Sequence, residues 1–390
     1  MSKSGYSSPH IVVTCSEHLV GFPPAVSLVT NLLSIDCRVT LFACGNTDCL
    51  PLAVVDDPKF TFVSLGERGG SLINRGKMLL TVPRTIREFL RDNHDAIDIV
   101  WTTMAVDVRD IGRVLYGFRH IMQLPELTET VPLLLHRNRP PYSKNTIALA
   151  RQAKRVVVPE YNRAFIQQAL WRLPETPMVL PNKPSIKKNA KYDLASDDSR
   201  LEKIRDEKRK VVLYQGLFAD DRDLFPFADA VDSFDGEFVL YLMGKATDDT
   251  QQKKLDELIS AHNNIEYIGY VPAPRHLAFA RYARMGLLPY MASYDGACPP
   301  LNALYCAPNK IWEYSCYGIP MLGSDIPGLT GIFARYGCGL TSSTNPDKIA
   351  CSIREIDASY EAMSSGSSNL YDSVNTREIV KQIIEEVIEN

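Results

Sequence analysis

The chain carries almost no net charge: 43 Lys and Arg against 46 Asp and Glu leave −3 over 390 residues. That balance argues against a protein held to nucleic acid by overall charge, because such binding needs many phosphates neutralised at once. There is no apolar run near the ~18 residues that a membrane-spanning helix requires. Ser, Gly and Pro fill the N-terminus where a secretory signal would place an apolar stretch. Both absences give the expectation of a cytoplasmic protein, with contact to the inner face of a membrane still open. None of the nine cysteines forms a Cys-x-x-Cys pair, and an odd number cannot all be paired. Cys15, Cys37 and Cys316 lie among apolar neighbours, as reduced buried thiols do. Cys44 and Cys49 flank a loop in a way that leaves a pairing open, but the same grounds favour free thiols.

What is present is the composition of a soluble globular protein, 45% hydrophobic and 23% charged, at a length that suits two domains. Ile11–Cys15 reads as a buried strand, Ser16 to Pro24 as a loop with Gly21, Ala25 to Leu33 as a helix and Arg38–Ala43 as a second strand. Strand, glycine-containing loop, helix and strand open a doubly wound α/β domain. Further strands are expected at Thr61–Leu65, Ile97–Thr102, His120–Leu124, Arg155–Pro159 and Met178–Pro181, with helices over Thr85–Asn93 and Asn162–Leu170. The stretch from Lys183 is rich in Lys, Asp, Ser and Glu and reads as a linker followed by a charged, solvated helix. A second α/β unit begins with Lys210–Gly216 and continues through Phe238–Gly244, Ile265–Gly269, Met285–Pro289, Ile319–Gly323 and Gly339–Leu340. The expected division is 1–182, a linker and charged helix over 183–209, 210–372, and a terminal helix within 373–390 opening near Thr376.

The densest chemistry lies in Pro308–Leu322. Lys310 and Glu313 are three residues apart, so a helix puts them on one face, and its N-terminal end favours phosphate. A cation for a diphosphate beside a carboxylate for a ribose hydroxyl suits a nucleotide-sugar site. The plainer alternative is a surface helix with an i,i+3 ion pair. Gly318 stops the helix, Pro320 follows, and the next strand leads into Ser324–Leu329.

Pro308-Asn309-Lys310, Glu313-Tyr314, Gly318, Pro320 and Ser324–Leu329 resemble the donor-binding segment of GT-B glycosyltransferases, in the Pro-x-Lys-x-x-Glu-Tyr…Gly-x-Pro form of the family-4-like group. The lysine version is also similar to bacterial GT-B polysaccharide glucuronosyltransferases. The resemblance implies two Rossmann-like doubly wound domains facing a central cleft, with a terminal helix that crosses back to the first. It implies a sugar-nucleotide donor, UDP-linked by family frequency, on the second domain. In that setting Gly216, Arg222 and Lys310 form one anion site, Arg222 opening the helix after the first strand. Tyr270 and Val271 meet the nucleotide base, and Asn302 or Asp295 meets the sugar. The segment from Tyr290 to Pro308 is read as having no room for a helix. Where retaining relatives place a first glutamate this chain has Tyr305, so a retaining mechanism does not carry over and inversion is favoured. Asp221-Arg222-Asp223 spells Asp-x-Asp but reads as helix capping rather than metal binding; no metal or cofactor is expected.

In the first domain Glu126, with Glu129 second, leaves a strand at the carboxyl end, where such sheets bind ligands. Related inverting enzymes carry a carboxylate there, and a buried Glu126 would take the proton of an acceptor hydroxyl. His18 and Gly21 border the same edge, Gly21 as a point of close backbone approach. Arg68, Arg75, Lys77, Arg84, Arg87 and Arg91 stand among Leu72, Ile73, Met78, Leu79, Leu80 and Val82. That mixture suits either anionic lipid headgroups, which fits a lipid-linked glycan acceptor, or a solvated helix. Two other functions stay open: a sugar-nucleotide epimerase of the same fold, and a catalytically silent glycan-binding partner subunit.

Overall fold

The computed structural model describes residues 8–67, 72–127, 144–185, 198–292 and 300–389. The chain divides into two compact units, Met1–Ser185 with Asn375–Asn390, and Ile186–Val374.

The first unit is built on seven parallel strands: β1 (His10–His18), β2 (Arg38–Cys44), β3 (Phe60–Ser64), β4 (Ile99–Thr102), β5 (Arg119–Gln123), β6 (Arg155–Val158) and β7 (Met178–Val179). Their order is β3-β2-β1-β4-β5-β6-β7. A strand buried on both faces reads as a continuous β-branched run, which Ile11-Val12-Val13-Thr14 supplies. Ile11 and Val13 face one core layer with Leu28 and Leu32; Val12 faces the other with Val108 and Leu90. The terminal helix Thr376–Glu389 belongs to this unit. Its Val380, Ile383, Ile384 and Val387 recur at helical spacing and join the layer of Leu28 and Leu32.

The second unit has six parallel strands: β8 (Lys210–Phe218), β9 (Phe238–Ala246), β10 (Ile265–Gly269), β11 (Met285–Leu288), β12 (Met321–Ser324) and β13 (Gly339–Ser342). They lie in the order β10-β9-β8-β11-β12-β13. Each sheet therefore reverses its winding once, between β1 and β4 and between β8 and β11. Ligands of open α/β sheets bind at the carboxyl ends of such strands.

Several local expectations change. The helix expected over Thr85–Asn93 is the end of a longer one, Leu72–Asp92, with Pro83 inside it. The charged stretch after Lys183 contains the helix Ser199–Arg205, but its Ile204 is only 2% exposed and sits in the second unit's core, so one face is anchored rather than solvated. A five-residue helix, Pro300–Leu304, forms where none was expected. Proline is tolerated in a first helical turn, whose N–H groups have no intrahelical partner. Strand β8 does not stop at Gly216 but runs on to Phe218, paired with β9 as far as Ala246.

Candidate functional site

Gln215 and Gly216 lie near the carboxyl end of β8, one neighbour of the second sheet's switch point. Gly216 has φ +142°, and an added Cβ would sit 2.6 Å from Cε and Nζ of Lys310. A glycine is needed here both for the backbone and to let the lysine pass. Lys310 is in the first turn of the helix Asn309–Cys316, as its spacing implied. Its ammonium donates to the Tyr290 hydroxyl at 3.1 Å and stands 5.6 Å from the centre of the Tyr214 ring. Burial of that ammonium lowers the pKa of Lys310, and nearby Arg222 lowers it further; Tyr214 and Glu313 oppose them.

Arg222 is not in a helix. It forms an isolated antiparallel bridge with Tyr290, ahead of the helix Phe225–Asp232. Its guanidinium lies 5.0 Å from the Tyr290 ring centre and pairs with Asp221 at 2.6 Å. The expected trio of Gly216, Arg222 and Lys310 is thus brought together, with Tyr290 between the two cations. Burial lifts the Tyr290 phenol above its ordinary range, against the pull of Arg222. In the Asp-x-Asp segment, Asp221 pairs with Arg222 and Asp223 accepts from the backbone N–H of Phe225 at 3.1 Å. No group of three or more metal-binding side chains occurs among the described residues.

Glu313 is 5% exposed, and no ion pair joins it to Lys310. The surface-pair alternative fails because the carboxylate faces inward. It accepts from Gln215 Nε2 at 2.5 Å and from His276 Nε2 at 3.3 Å. Burial alone would raise its pKa; His276, then Lys310 and Gln215, more than offset this and leave it below the ordinary carboxylate value. Three buried polar atoms in this network have no hydrogen-bond partner: Gln215 Oε1, Arg222 Nε and His276 Nδ1.

The remaining residues are more dispersed. Val271 is buried in the second unit's core, whereas Tyr270 is exposed, with the Lys245 ammonium 4.8 Å from its ring centre. The Tyr270 carbonyl accepts from Arg200 at 3.3 Å. Asn302 lies part-buried on the helix Pro300–Leu304. Glu129, Asp295 and Arg68 fall outside the described residues, as do the side chains of Arg75 and Lys77.

In the first unit the burial expected for Glu126 is not found. Its side chain is 65% exposed, 4.0 Å from Arg163, whose guanidinium is held by the Pro125 carbonyl at 2.7 Å. The chain turns outward after Leu124, so the carboxylate meets solvent. Gly21 has open space where a Cβ would be, so nothing in the fold demands glycine there. His18 ends β1, 3.6 Å from Glu67, with its ring packed where a Cβ of Gly45 would go. The buried acid of this edge is instead Asp107, in the helix Ala105–Ile111. Its Oδ1 accepts from the backbone N–H of Ser16 at 3.1 Å and from the Ser16 hydroxyl, while Oδ2 has no partner. Burial pushes its pKa up to about 7. Sequence reasoning missed Asp107 because an acid in a short helix reads as solvated; its place just after β4 was the available signal. Gln215, His276 and Tyr290 were likewise missed.

No family profile and no curated protein sequence matches this chain. Solved structures do. HepE from Anabaena, with UDP bound, is 12% identical over 98% of this chain and 100% of its own, at a TM-score of 0.67. A glycosyltransferase from Rickettsia africae ESF-5 is 12% identical over 98% and 99%, at 0.68. AviGT4, a glycosyltransferase involved in avilamycin A biosynthesis, is 17% identical over 97% of each chain, at 0.61. With two doubly wound parallel sheets and this similarity along nearly its whole length, the chain has the GT-B fold of the glycosyltransferases.

Proposed function

We propose that this chain is a glycosyltransferase that takes a sugar from a nucleotide-diphosphate donor, a UDP-sugar by preference, bound on the second unit. The observation that carries the reading is the convergence of Lys310, Arg222 and Gly216 around Tyr290, one helical turn from the buried carboxylate of Glu313. UDP and UDP-glucose in crystals of HepE, a protein of the same fold, support the choice of donor. Lys310 and Arg222 neutralise the departing diphosphate, so that no metal is required, and Glu313 takes a ribose hydroxyl. The backbone groups of Tyr270 and Val271 meet the base.

The acceptor, a glycan or lipid-linked glycan, is held by the first unit, and transfer inverts the anomeric centre with Glu126 taking the acceptor proton. Tyr305 in place of a first glutamate favours inversion. The protein works in the cytoplasm against the inner face of an anionic membrane. Leu79 and Leu80, 67% and 76% exposed on the arginine-bearing helix Leu72–Asp92, support that contact. No helix among the described residues is long and apolar enough to cross a membrane.

Calorimetry against a nucleotide panel, followed by a hydrolysis screen of sugar nucleotides, tests the reading. UDP should bind and one UDP-sugar should be cleaved slowly to UDP. No nucleotide binding would favour the silent subunit, and conversion of UDP-GlcNAc alone would favour the epimerase.

A further inference from the structure

β3 is an outer strand of the first sheet, and its counterpart in the second sheet is β10. The two edges are finished differently. β10 carries Glu266, which pairs with Lys203 at 2.5 Å and with Arg209 at 3.3 Å. Charge on an outer strand discourages a further strand from pairing there. β3 reads Phe-Thr-Phe-Val-Ser, with no charge and no proline, and among the described residues only β2 pairs with it. Thr61 and Ser64 are exposed; Phe60, Phe62 and Val63 are part-buried.

The register shows which backbone groups are left over. The Lys59 carbonyl accepts from the N–H of Val39 at 2.9 Å, and the N–H of Leu65 donates to the Ala43 carbonyl at 2.8 Å. Alternate residues of a strand turn their backbone groups to the same side. Thr61 and Val63 therefore turn toward β2 with Lys59 and Leu65, whereas Phe60, Phe62 and Ser64 turn outward. The Phe60 N–H is taken by the Asp57 carbonyl at 2.9 Å. The N–H groups of Phe62 and Ser64 face the open edge beside the carbonyls of Phe60 and Phe62.

An identical strand, run antiparallel about a two-fold axis at Phe62, matches that pattern. The Phe62 backbones of the two copies exchange N–H and C=O, and each Ser64 N–H meets the other copy's Phe60 carbonyl. The two Phe62 rings then meet across the axis, where aromatic cross-strand pairs are favourable. With no charge on the strand, nothing repels its own image. More apolar surface lies on the same side of the sheet. Phe60 and Phe62 pack on the layer of Leu28, as does Val54 of the helix Leu52–Val55, and that helix leaves Leu52 78% exposed.

We propose that β3 is a docking edge for a second copy of this chain, joined antiparallel at Phe62 so that one sheet runs through both first units. The proposal does not draw on the nucleotide-sugar reading.

Sedimentation velocity of the whole chain from about 1 to 100 μM tests it, a range suited to a contact centred on one short strand. The mean mass should rise from one chain toward two. Thr61→Lys, at an exposed position, should leave the thermal melt unchanged and raise the dissociation constant of the dimer about tenfold or more. A cross-link checks the register in a Cys351→Ser background, which removes an exposed native thiol. Phe62→Cys should join two copies when oxidised with copper phenanthroline, because directly opposed residues lie within disulfide reach. Thr61→Cys, which is not opposite itself, should do so far less. A single-chain mass at every concentration would overturn the inference. So would a dimer that Thr61→Lys leaves intact, a Phe62→Cys chain that forms no cross-link, or a Thr61→Cys chain that cross-links as readily. If Thr61→Lys melts early, the cross-link alone decides.

Discussion

The two sheets are wound alike, yet their switch points hold opposite chemistry. Between β8 and β11 the second unit gathers two cations, a buried carboxylate and three partnerless polar atoms within reach of one glycine. Between β1 and β4 the first unit places one buried acid, Asp107, under the backbone of Ser16. Its other candidate, Glu126, stands in solvent. A shared backbone therefore supplies two edges at which ligands can bind, and the buried charges decide what each can take. The cation-lined edge fits an anion, whereas the acid-lined edge offers a buried carboxyl in place of a cation.

The contrast is broken most forcefully at Lys310. Truncating one partner of a buried charge interaction costs ~2–5 kcal/mol, so Lys310→Met should weaken UDP binding about 100-fold in calorimetry. Thermal stability should hold or rise, because a desolvated cation has been removed. Unchanged affinity would move the diphosphate away from Tyr290 and dissolve the difference between the edges.

Asp107→Asn acts on the other edge. The carboxyl titrates at about 7 in the fold against an ordinary 3.8, with Asp110 and Glu17 adding to the effect of burial. Between those values the folded protein keeps a proton that the unfolded chain has released. The resulting stability is fully present below about pH 4 and is lost as pH rises through 7. A shift of roughly three units corresponds to on the order of 4 kcal/mol. Urea melts from pH 4 to 8 should show the wild type weakening with pH and the variant nearly flat, with UDP affinity the same in both. A wild-type curve as flat as the variant's would mean that Asp107 is ionised throughout.

Gly216→Ala should be milder. A side chain at positive φ costs about 1–2 kcal/mol, read as a lower melting temperature. The new Cβ, 2.6 Å from the Lys310 ammonium, should push the lysine aside and weaken UDP about tenfold. Smallest is the double change Leu79→Ser with Leu80→Ser. Both side chains are exposed, so stability should move by no more than about 0.5 kcal/mol. Sedimentation with anionic phosphatidylglycerol vesicles should nevertheless fall several-fold. Unaltered sedimentation would leave the basic helix as a solvated surface.

Much of this was legible before any coordinates. The β-branched runs and their spacing announced two parallel sheets, and the Lys310–Glu313 interval pointed to a helix, which Asn309–Cys316 forms. The partners of that face were not legible. Gln215 is 98 residues from Glu313 in sequence, and no local pattern links them. Tyr290 seemed to open an irregular loop, whereas it is the surface on which both cations rest. Glu126 was expected to be buried and is exposed, while the buried Asp107 went unread, because burial depends on which way the backbone leaves a strand. One residue emerges outward and the other turns under β1.

By itself the sequence determined the periodic features: which runs pair as strands, which helix face carries Lys310 and Glu313, and where glycine frees the backbone. Those follow from covalent geometry and local sterics, which act over a few residues. Whether Glu313 meets Lys310 or instead His276 and Gln215, and which acid is sealed from water, was decided only by tertiary structure. A buried polar group must find its hydrogen bonds among whatever segments close packing brings against it, and those segments come from far along the chain.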